Sequence, residues 1–600
     1  MELILQVFYS FFSGCMLSLS IPNEIYEFGS PVFTLFAFIP YYILFSKKIK
    51  TYNQAFLAGF IQSITTHLFS SYWLAYFKDF AIITLGASAF GTGMIGGFMA
   101  LYLYLPFSSS QNHNTLLNGT LHQKFYDTQT FKIIYFSSIY MLYEWVKSSG
   151  FLGYPWGTVS SAMFEWPVLM QLASITGTYG ITFLILLLNC LLSEILIFFY
   201  DKNNQKNRKH DVRIVFRFTA VLFFCAIIFG IYQYDKPRKP HKTLTTILVQ
   251  QNSDPWSEDT DEQSILISQQ LTQKQLDILS RENKTADLVV WSEGCLKYSF
   301  PDSYSYYNHY PFENPLIPFI SKTEVPFILG GSFKKSDSDN TKFYNVTLLF
   351  DKDGKLRGEY AKNHLVPFAE ILPFIEYPKI KAFMKKVIGI SAGWYPGDQY
   401  VFFEIPCKTT KEYRLPAVKN VTLTQSYQEQ KDEENRPVTV KIATPICFDD
   451  SFTDIMRPLY LNGAELFINL TDDSWSKKRS SEIQHFVIAS YRAIEYRTTL
   501  VRSCNAGYSV VLNPAGKIIA EMPLFEQASI TVDVPIFERK MTTYAKFGNW
   551  LPYSAIVFFV FFAIYYYFSF EHSDYIKSER KLKLNKVNKK HKKKKINLLQ

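Results

Sequence analysis

Lys441-Ile-Ala-Thr-Pro-Ile-Cys447 is a β-rich run that ends in a thiol and continues as Phe448-Asp449. Two upstream runs are built alike: Asp287-Leu-Val-Val-Trp-Ser-Glu293 ends in a carboxylate, and Gly358-Glu-Tyr-Ala-Lys362 ends in an amine. Sites in open α/β sheets assemble at the carboxyl ends of strands, so these reactive side chains are expected to meet. The three runs therefore predict an α/β domain with Glu293, Lys362 and Cys447 at one edge.

The sequence from residue 235 to residue 547 continues this pattern. Two segments with apolar residues at helical spacing, Ser264–Leu279 and Ser481–Thr498, lie among short β-rich runs. Strands that alternate with helices predict a layered α/β domain across 235–547. The polar stretch Thr409–Arg436 is predicted to be a surface insertion in this domain. The predicted strands are Leu244–Gln250, Asp287–Trp291, Pro326–Leu329, Tyr344–Phe350, Val438–Ile446, Glu465–Leu470 and Tyr508–Leu512.

Hydrophobic runs of about membrane-spanning length occupy the sequence on either side. Seven runs fall within 1–234 and an eighth within 548–570, which predicts an eight-helix transmembrane bundle. Aromatic residues make up 17% of the chain and charged residues only 19%, a balance typical of chains partly solvated by lipid. The runs are Leu3–Ser20, Pro31–Phe45, Ala55–Phe77, Ala81–Phe107, Phe131–Val146, Ile175–Tyr200, Ile214–Tyr232 and Trp550–Phe570.

The distribution of charge predicts how these runs are oriented. Lysine and arginine concentrate after the second, sixth and eighth runs, whereas Glu24 and Glu27 follow the first. The positive-inside rule then places both termini in the cytoplasm and residues 235–547 outside. The net charge of +10 is carried by a lysine-rich C-terminal segment. Residues 571–600 are therefore predicted to be a basic cytoplasmic tail beside anionic lipid, with nucleic-acid binding as the less favoured alternative.

A carboxylate, an ammonium and a thiol that meet have a joint chemical use. Lys362 would lower the pKa of the Cys447 thiol and hold a developing oxyanion, while Glu293 would take and return the proton. Each residue alone has an ordinary structural explanation. The three together predict nucleophilic catalysis.

Other titratable residues give weaker patterns. Glu144 ends a hydrophobic run and is predicted to be interfacial or hydrogen-bonded within the bundle. His485 and Glu482 are three apart on a predicted helix, but the sequence around them offers no further ligand, so no metal site is predicted. The seven cysteines show no regular spacing that would indicate a disulfide framework.

The sequence motifs around the reactive residues resemble those of the nitrilase, or carbon–nitrogen hydrolase, superfamily across Leu244–Val534. Within that superfamily the chain is similar to the apolipoprotein N-acyltransferase family, whose loop and span signatures resemble Tyr-Glu144-Trp, Gly-Tyr-Pro155-Trp156 and Tyr544-Ala-Lys-Phe-Gly-Asn-Trp550. The matching words of the α/β part are Val-Val-Trp-Ser-Glu293, Lys362-Asn-His-Leu-Val-Pro-Phe-Ala-Glu370, Thr-Pro-Ile-Cys447, Ile-Asn-Leu-Thr-Asp-Asp473-Ser-Trp475, Tyr-Arg-Ala-Ile-Glu495, Arg502-Ser-Cys-Asn505-Ala-Gly and Asn-Pro-Ala-Gly516-Lys.

This resemblance implies a fold and a set of residue roles. The fold is a nitrilase-like αββα sandwich outside the membrane, carried on the eight-helix bundle. The catalytic roles are a general base for Glu293, oxyanion support for Lys362, a nucleophile for Cys447 and an assisting carboxylate for Glu370. Three further residues are implied to bind substrate: Trp256 near the lipid entrance, Phe448 and Asp449.

The resemblance also implies a two-step reaction without a cofactor. The first step moves a fatty acyl chain from a phospholipid to Cys447, and the second moves it to the α-amine of a diacylglyceryl-cysteine on an apolipoprotein. The expected location is the bacterial inner membrane, with a periplasmic catalytic domain in a monomeric, multi-pass protein. No nucleic-acid partner is expected.

Two departures from the family pattern and two rival functions accompany this interpretation. Ser292 stands where the family usually has Pro, and Phe448-Asp449 stands where it has Tyr-Glu, which puts the usual role of that pair in doubt.

A membrane-bound amidase or nitrilase that transfers its acyl group to water would use the same triad. The other rival is a transporter or sensor whose outer domain only binds ligand, against which stands the absence of inverted repeats.

Overall fold

The computed structural model describes residues 2–76, 81–112, 128–200, 205–254, 261–337, 340–371, 377–379, 382, 393–409, 438–565 and 567. Trp256, residues 410–436 of the predicted insertion and the tail 571–600 lie outside these described residues. By its internal contacts the chain divides into a unit Met1–Gly548 and a unit Asn549–Gln600.

Helices make up the first part of the larger unit. Four helices within the described residues are long and apolar enough to cross a membrane: Glu2–Ser20, Thr84–Ser108, Thr178–Tyr200 and His210–Asp235. The predicted count of eight spans is therefore not confirmed. The helices here are Glu2–Ser20, Pro31–Thr34, Ile39–Lys47, Tyr52–Ser70, Ala81–Asn112, Gln129–Lys147, Pro167–Met170, Ala173–Thr176, Thr178–Tyr200 and Gln205–Asp235, with 3₁₀ turns at Tyr72–Tyr76 and Val159–Ala162.

Within the described residues of the second part, thirteen strands form two sheets. The strands are β1 Lys242–Gln250, β2 Leu288–Trp291, β3 Phe327–Asp337, β4 Asn340–Phe350, β5 Leu356–Ala361, β6 Phe402–Pro406, β7 Lys408–Thr409, β8 Thr439–Ala443, β9 Leu466–Thr471, β10 Thr499–Cys504, β11 Val510–Leu512, β12 Ile518–Glu521 and β13 Ala528–Ile536. One sheet has the order β13-β1-β2-β3-β4-β5, with β7 also paired to β1, and the other has the order β12-β11-β10-β9-β8-β6. Each sheet has a parallel centre, β1-β2-β3 or β8-β9-β10, with antiparallel strands outside it.

The core of this domain has three apolar layers. Leu248 and Val290 of the first sheet and Ile442 and Ile468 of the second belong to one buried cluster between the sheets. A second cluster packs the first sheet against its helices, and a third packs the second sheet against its own. This layering confirms the predicted αββα sandwich. The helices of this part are Asp261–Arg281, Tyr304–Tyr307, Leu316–Thr323, Thr453–Leu461, Arg479–Tyr496 and Thr543–Phe547, with a 3₁₀ turn at Cys447–Ser451.

The loops of the helical part contact the α/β domain directly. Gln484, on helix Arg479–Tyr496, donates to the carbonyl oxygens of Pro22 and Ser70 at 2.7 and 2.8 Å. Its Oε1 accepts from the indole of Trp73 at 3.3 Å. Because these bonds are buried, they hold the C-terminal ends of helices Glu2–Ser20 and Tyr52–Ser70 against the domain.

The smaller unit contains an apolar helix at Trp550–Tyr565. It coincides with the last predicted hydrophobic run, Trp550–Phe570.

Candidate active site

Strand ends place the three predicted residues of the triad. Glu293 follows β2 by two residues, and Lys362 follows β5 directly, with its backbone N–H donating to Asn345 O at 2.9 Å. Gly330, on β3, passes so close to the Glu293 loop that an added Cβ would lie 2.4 Å from Ser292 O and 2.5 Å from Glu293 Cα. Only glycine fits there, so the close approach of two backbones fixes the position of Glu293.

Cys447 sits in a strained turn after β8. Its φ of +45° lies in the left-handed region, which is uncommon for residues with a side chain, and it begins the 3₁₀ turn Cys447–Ser451. Asp449 holds this turn: its Oδ2 accepts from the backbone N–H of Ile446 at 3.1 Å and from Tyr360 at 2.9 Å. Its Oδ1 accepts from the backbone N–H of His364 at 2.7 Å. The turn is thereby tied to the loop that carries Lys362.

Lys362 lies between two carboxylates. Its Nζ is 3.3 Å from Glu293 Oε1 and 2.9 Å from Glu370 Oε1, and the side chain is 1% exposed. Asn345, on β4, donates to the same two oxygens at 2.7 and 3.2 Å. The second oxygen of each acid accepts a backbone N–H, from Asp472 for Glu293 and from Val366 for Glu370. Both carboxylates are thus fixed on two sides.

Burial and charge set the protonation of these groups. Burial raises the pKa of Glu293, and Glu370 adds to the rise while Lys362 opposes it. Burial would lower the pKa of Lys362, but its electrostatic interactions with Cys447 in the ionised form and with the carboxylates of Glu293 and Glu370 hold it well above its usual value. A cationic Lys362 beside a carboxyl of raised pKa is suited to oxyanion support and proton transfer.

The thiol of Cys447 has a pKa well above its ordinary value. Burial is the largest cause and Glu293 adds to it, whereas Lys362 acts in the opposite direction. Lys362 lowers the pKa of the thiol, as expected from the sequence. The pKa is nevertheless raised overall, because burial and Glu293 outweigh the effect of Lys362. The raised pKa favours the protonated thiol, and any reaction of this sulfur as a nucleophile requires loss of that proton.

A second set of titratable groups lies on another side of the thiol. Cys447 Sγ, a carboxylate oxygen of Asp473 and a ring nitrogen of His485 lie within 4.8 Å of one another. Cys447 and Asp473 could not be recognised from the sequence as further metal ligands beside His485, because they lie 38 and 12 residues before it in the chain. His485 Nδ1 is 2.6 Å from Asp473 Oδ1, and Nε2 is 3.0 Å from Asp450 Oδ1. Ionised carboxylates only accept hydrogen bonds, so both ring nitrogens donate, and a metal on one nitrogen would have to displace its proton and break the hydrogen bond of that nitrogen.

An apolar wall lies next to the nucleophile. Phe448 is buried, with its ring 5.3 Å from that of Trp156 and 4.7 Å from that of Phe452. Trp156 belongs to the loop after helix Gln129–Lys147, so the helical part contributes directly to the wall. The wall is the buried cluster Trp73, Leu74, Trp156, Phe448, Phe452 and Ile488, against which Cys447 packs. The thiol thus has charged groups on one side and apolar rings on another.

Most of the residues named from the sequence lie at this site. Glu293, Lys362 and Glu370 are in mutual contact through Lys362, and the charges of all three act on Cys447. Trp256 lies outside the described residues. Glu144 is hydrogen-bonded, accepting from the Val159 N–H at 2.8 Å and from Thr182 Oγ1 at 2.5 Å.

Sequence reasoning missed four residues of the site. Asn345 gave no signal, because nothing near it in the sequence links it to two distant acids. Asp473 and Arg502 lie within the sequence motifs quoted above, but no role was predicted for either. Asp450 lies three residues after Cys447. For Asp473 and Arg502, their position in those motifs was the only signal that could have identified them.

Comparisons with known proteins cover both parts of the chain. The family model Apolipoprotein N-acyltransferase N-terminal domain matches residues 13–191, and the model Carbon-nitrogen hydrolase matches residues 248–539. Apolipoprotein N-acyltransferase 2 of Treponema denticola is 38% identical over 566 residues, which is 94% of this chain and 97% of the relative. Apolipoprotein N-acyltransferase 2 of Treponema pallidum is 33% identical and covers 91% of this chain and 92% of its own.

A solved structure of a carbon–nitrogen hydrolase from Helicobacter pylori G27 is 17% identical, with a TM-score of 0.31, and covers 49% of this chain and 90% of its own. The two Treponema relatives match this chain along its helical part as well as its α/β domain. The chain belongs to the apolipoprotein N-acyltransferase family.

Proposed function

We propose that this protein is an apolipoprotein N-acyltransferase that works through a thioester on Cys447. It takes a fatty acyl chain from a phospholipid and delivers it to the α-amine of a diacylglyceryl-cysteine at the N-terminus of an apolipoprotein. The observation that carries the proposal is the cation of Lys362, held at 2.9 and 3.3 Å by Glu370 and Glu293, whose charge acts on the Cys447 thiol.

In the first step, Cys447 Sγ attacks the carbonyl carbon of a phospholipid ester. Glu293 accepts the thiol proton, and Lys362 stabilises the oxyanion of the tetrahedral intermediate. Collapse of the intermediate breaks the ester C–O bond, and Glu293 returns the proton to the departing oxygen. The products are an acyl-thioester on Cys447 and a lysophospholipid.

In the second step, the neutral α-amine of the acceptor attacks the thioester carbonyl carbon. Lys362 again stabilises the oxyanion, and the C–S bond breaks as the amide forms. Glu293 accepts the proton that the amine loses and restores the thiol. A thioester suits this step because it stays reactive toward amines.

The surrounding residues support these steps by position. Glu370 and Asn345 fix Lys362 and Glu293 relative to each other. Asp449 is completely buried and accepts three hydrogen bonds from the protein, which supports a positioning role in place of the substrate contact expected from the sequence. Phe448 belongs to the apolar wall and suits contact with an acyl chain.

The wall also supports a substrate that comes from lipid. It is built partly by Trp73, Leu74 and Trp156 of the helical part, which contains four helices able to cross a membrane. We propose that the protein lies in the bacterial inner membrane with this domain on the periplasmic side and both termini in the cytoplasm. No step of the proposed reaction needs a metal or an organic cofactor.

An assay of acyl transfer from a phospholipid to an α-amine tests this function. Purified full-length protein is mixed with acyl-labelled phospholipid and a synthetic diacylglyceryl-cysteine peptide that has a free α-amine. The label is expected in an amide on the peptide, with the same peptide N-acetylated as the control acceptor. Release of labelled fatty acid without amide formation would instead indicate the hydrolase, and no turnover of lipid would contradict an enzyme of either kind.

A further inference from the structure

A buried network of four charged groups lies beside the nucleophile. Arg502, on β10, pairs with Asp450 and with Asp473, the second pair at 3.1 Å. His485, on helix Arg479–Tyr496, lies between the same two carboxylates at 3.0 and 2.6 Å. Each of these side chains is at most 10% exposed. With His485 as an imidazolium, two cations balance two anions.

This network is connected to Cys447 in two ways, through the backbone of the turn and through side chains close to the sulfur. Asp450 belongs to the Cys447–Ser451 turn, so its bonds to His485 and Arg502 tie that turn to the second sheet and its helix. Asp473, just after β9, lies with His485 within 4.8 Å of Cys447 Sγ. The proposed mechanism assigns none of these four residues a part.

We propose that His485 is a positioning residue for Cys447, which as an imidazolium balances the carboxylates of Asp450 and Asp473 beside the thiol and fixes the strained turn. This inference rests on the proposed role of Cys447 as nucleophile. It does not depend on the identity of the acyl donor or the acceptor. Loss of the His485 charge would leave one carboxylate beside the thiol unbalanced.

The charges around both groups agree with this role. Burial would lower the pKa of His485, but Asp473 and Asp450 raise it to about 9, against the opposing effect of Arg502. For Cys447, the groups that act on the thiol include Glu293, Lys362, Asp473 and Glu370, and Asp473 is among those that raise its pKa. Arg502 also interacts electrostatically with Cys447.

Glu482 is a further titratable group beside the network, as is the buried thiol of Cys504, which interacts with Arg502 and Asp473. Glu482 lies on the same helix as His485, is completely buried, and neither of its oxygens has a hydrogen-bond partner among the described residues. Burial, together with the charges of Asp473 and Asp472, holds its pKa well above the usual value. Glu482 is therefore neutral, and replacing it with Gln removes no charge.

Alkylation of Cys447 tests the inference without any lipid substrate. Full-length protein in detergent is treated with iodoacetamide at about pH 8, and modification of the peptide that contains Cys447 is followed by mass spectrometry. His485→Gln should slow alkylation about tenfold, because an unbalanced carboxylate raises the thiol pKa by about one unit. Asp450→Asn, which leaves an unbalanced cation, should speed it, and the double variant should return close to the wild-type rate. Glu482→Gln is the matched control and should leave the rate unchanged.

A network with a purely structural role predicts a different pattern of alkylation rates. Both single variants would then alkylate at rates unrelated to their charge, and the double variant would be the most disturbed, which would overturn the proposal. If His485→Gln does not fold, Asp450→Asn decides alone: an alkylation rate at or below that of the wild type contradicts the charge balance. Failure of acyl transfer with the predicted alkylation ranking would reject the proposed function and leave the role of His485 at the thiol intact.

Discussion

Lys362 Nζ lies closer to Glu370 than to the proposed general base, at 2.9 Å from Glu370 Oε1 against 3.3 Å from Glu293 Oε1. Glu370 is therefore the closer charged partner of the ammonium and also accepts its shorter hydrogen bond. This arrangement leaves Glu293 as the acid whose pKa is raised by burial and by its neighbour Glu370. We therefore expect Glu370 to position the Lys362 ammonium and Glu293 to transfer the proton.

Glu370→Gln should slow acylation of Cys447 about a hundredfold, because the ammonium loses its closest charged partner and shifts from the oxyanion position. The protein should remain folded, since Gln keeps an oxygen for the Val366 N–H bond. Single-turnover acylation from labelled phospholipid measures the effect. Glu359→Gln, which removes an acid paired with Lys335 on the surface, is the control and should retain the wild-type rate.

The pH profile of acylation should have an acidic limb set by Glu293. The reaction needs the ionised carboxylate, so the rate rises with pH through the pKa of Glu293. Because burial raises that pKa, the limb should lie above the ordinary glutamate value of about 4.3. Glu293→Gln should lower the rate about 10²- to 10⁴-fold and abolish this limb. An unchanged limb in that variant would assign it to another group.

Asn345→Ala should affect both stability and rate. The amide donates to Glu293 and Glu370, so its removal leaves two buried carboxylate oxygens each short of a donor. We expect a loss of about 1–3 kcal/mol in the free energy of unfolding and a slower acylation step. Thermal unfolding in detergent and single-turnover kinetics measure the two effects. Asn308→Ala, at the residue that follows helix Tyr304–Tyr307, removes a bond to Tyr304 O and should leave acylation unchanged.

Asp449→Asn should lower kcat and leave KM for the phospholipid nearly unchanged. All three bonds of Asp449 are accepted from the protein, and an Asn nitrogen would face a donor, which loosens the Cys447 turn. Steady-state kinetics over a range of phospholipid concentrations separates the two constants. A rise in KM alone would restore the substrate-binding role expected from the sequence.

The sequence predicted the sandwich best where strands are buried on both faces. β1, β2 and β9 are almost wholly buried, so they stand out as continuous apolar runs, and all three were predicted. β12 is mostly exposed and β6 alternates, so neither differs enough from a polar loop to be recognised. The run Gly358–Ala361 was predicted and forms most of β5, whereas β7, β10 and β13 were missed, and β3 extends well beyond the predicted Pro326–Leu329.

The candidate site was predictable only as far as its residues lie at strand ends. Glu293, Lys362 and Cys447 carry that signal because each follows a recognisable run. Asn345 lies inside β4, and the contact of His485 with Asp450 joins residues 35 apart in the chain. Their roles depend on which strands become neighbours, and the sequence does not specify that pairing.

The most direct measurement is the covalent state of Cys447 after exposure to acyl-labelled phospholipid without an acceptor. The account predicts label on the peptide that contains Cys447, released by neutral hydroxylamine because the bond is a thioester. Cys447→Ser should carry at most an ester that hydroxylamine leaves largely intact, and Cys225→Ala should be labelled like the wild type. Label that persists at another residue in Cys447→Ala, or an unlabelled wild-type protein that still acylates the peptide amine, would contradict the account.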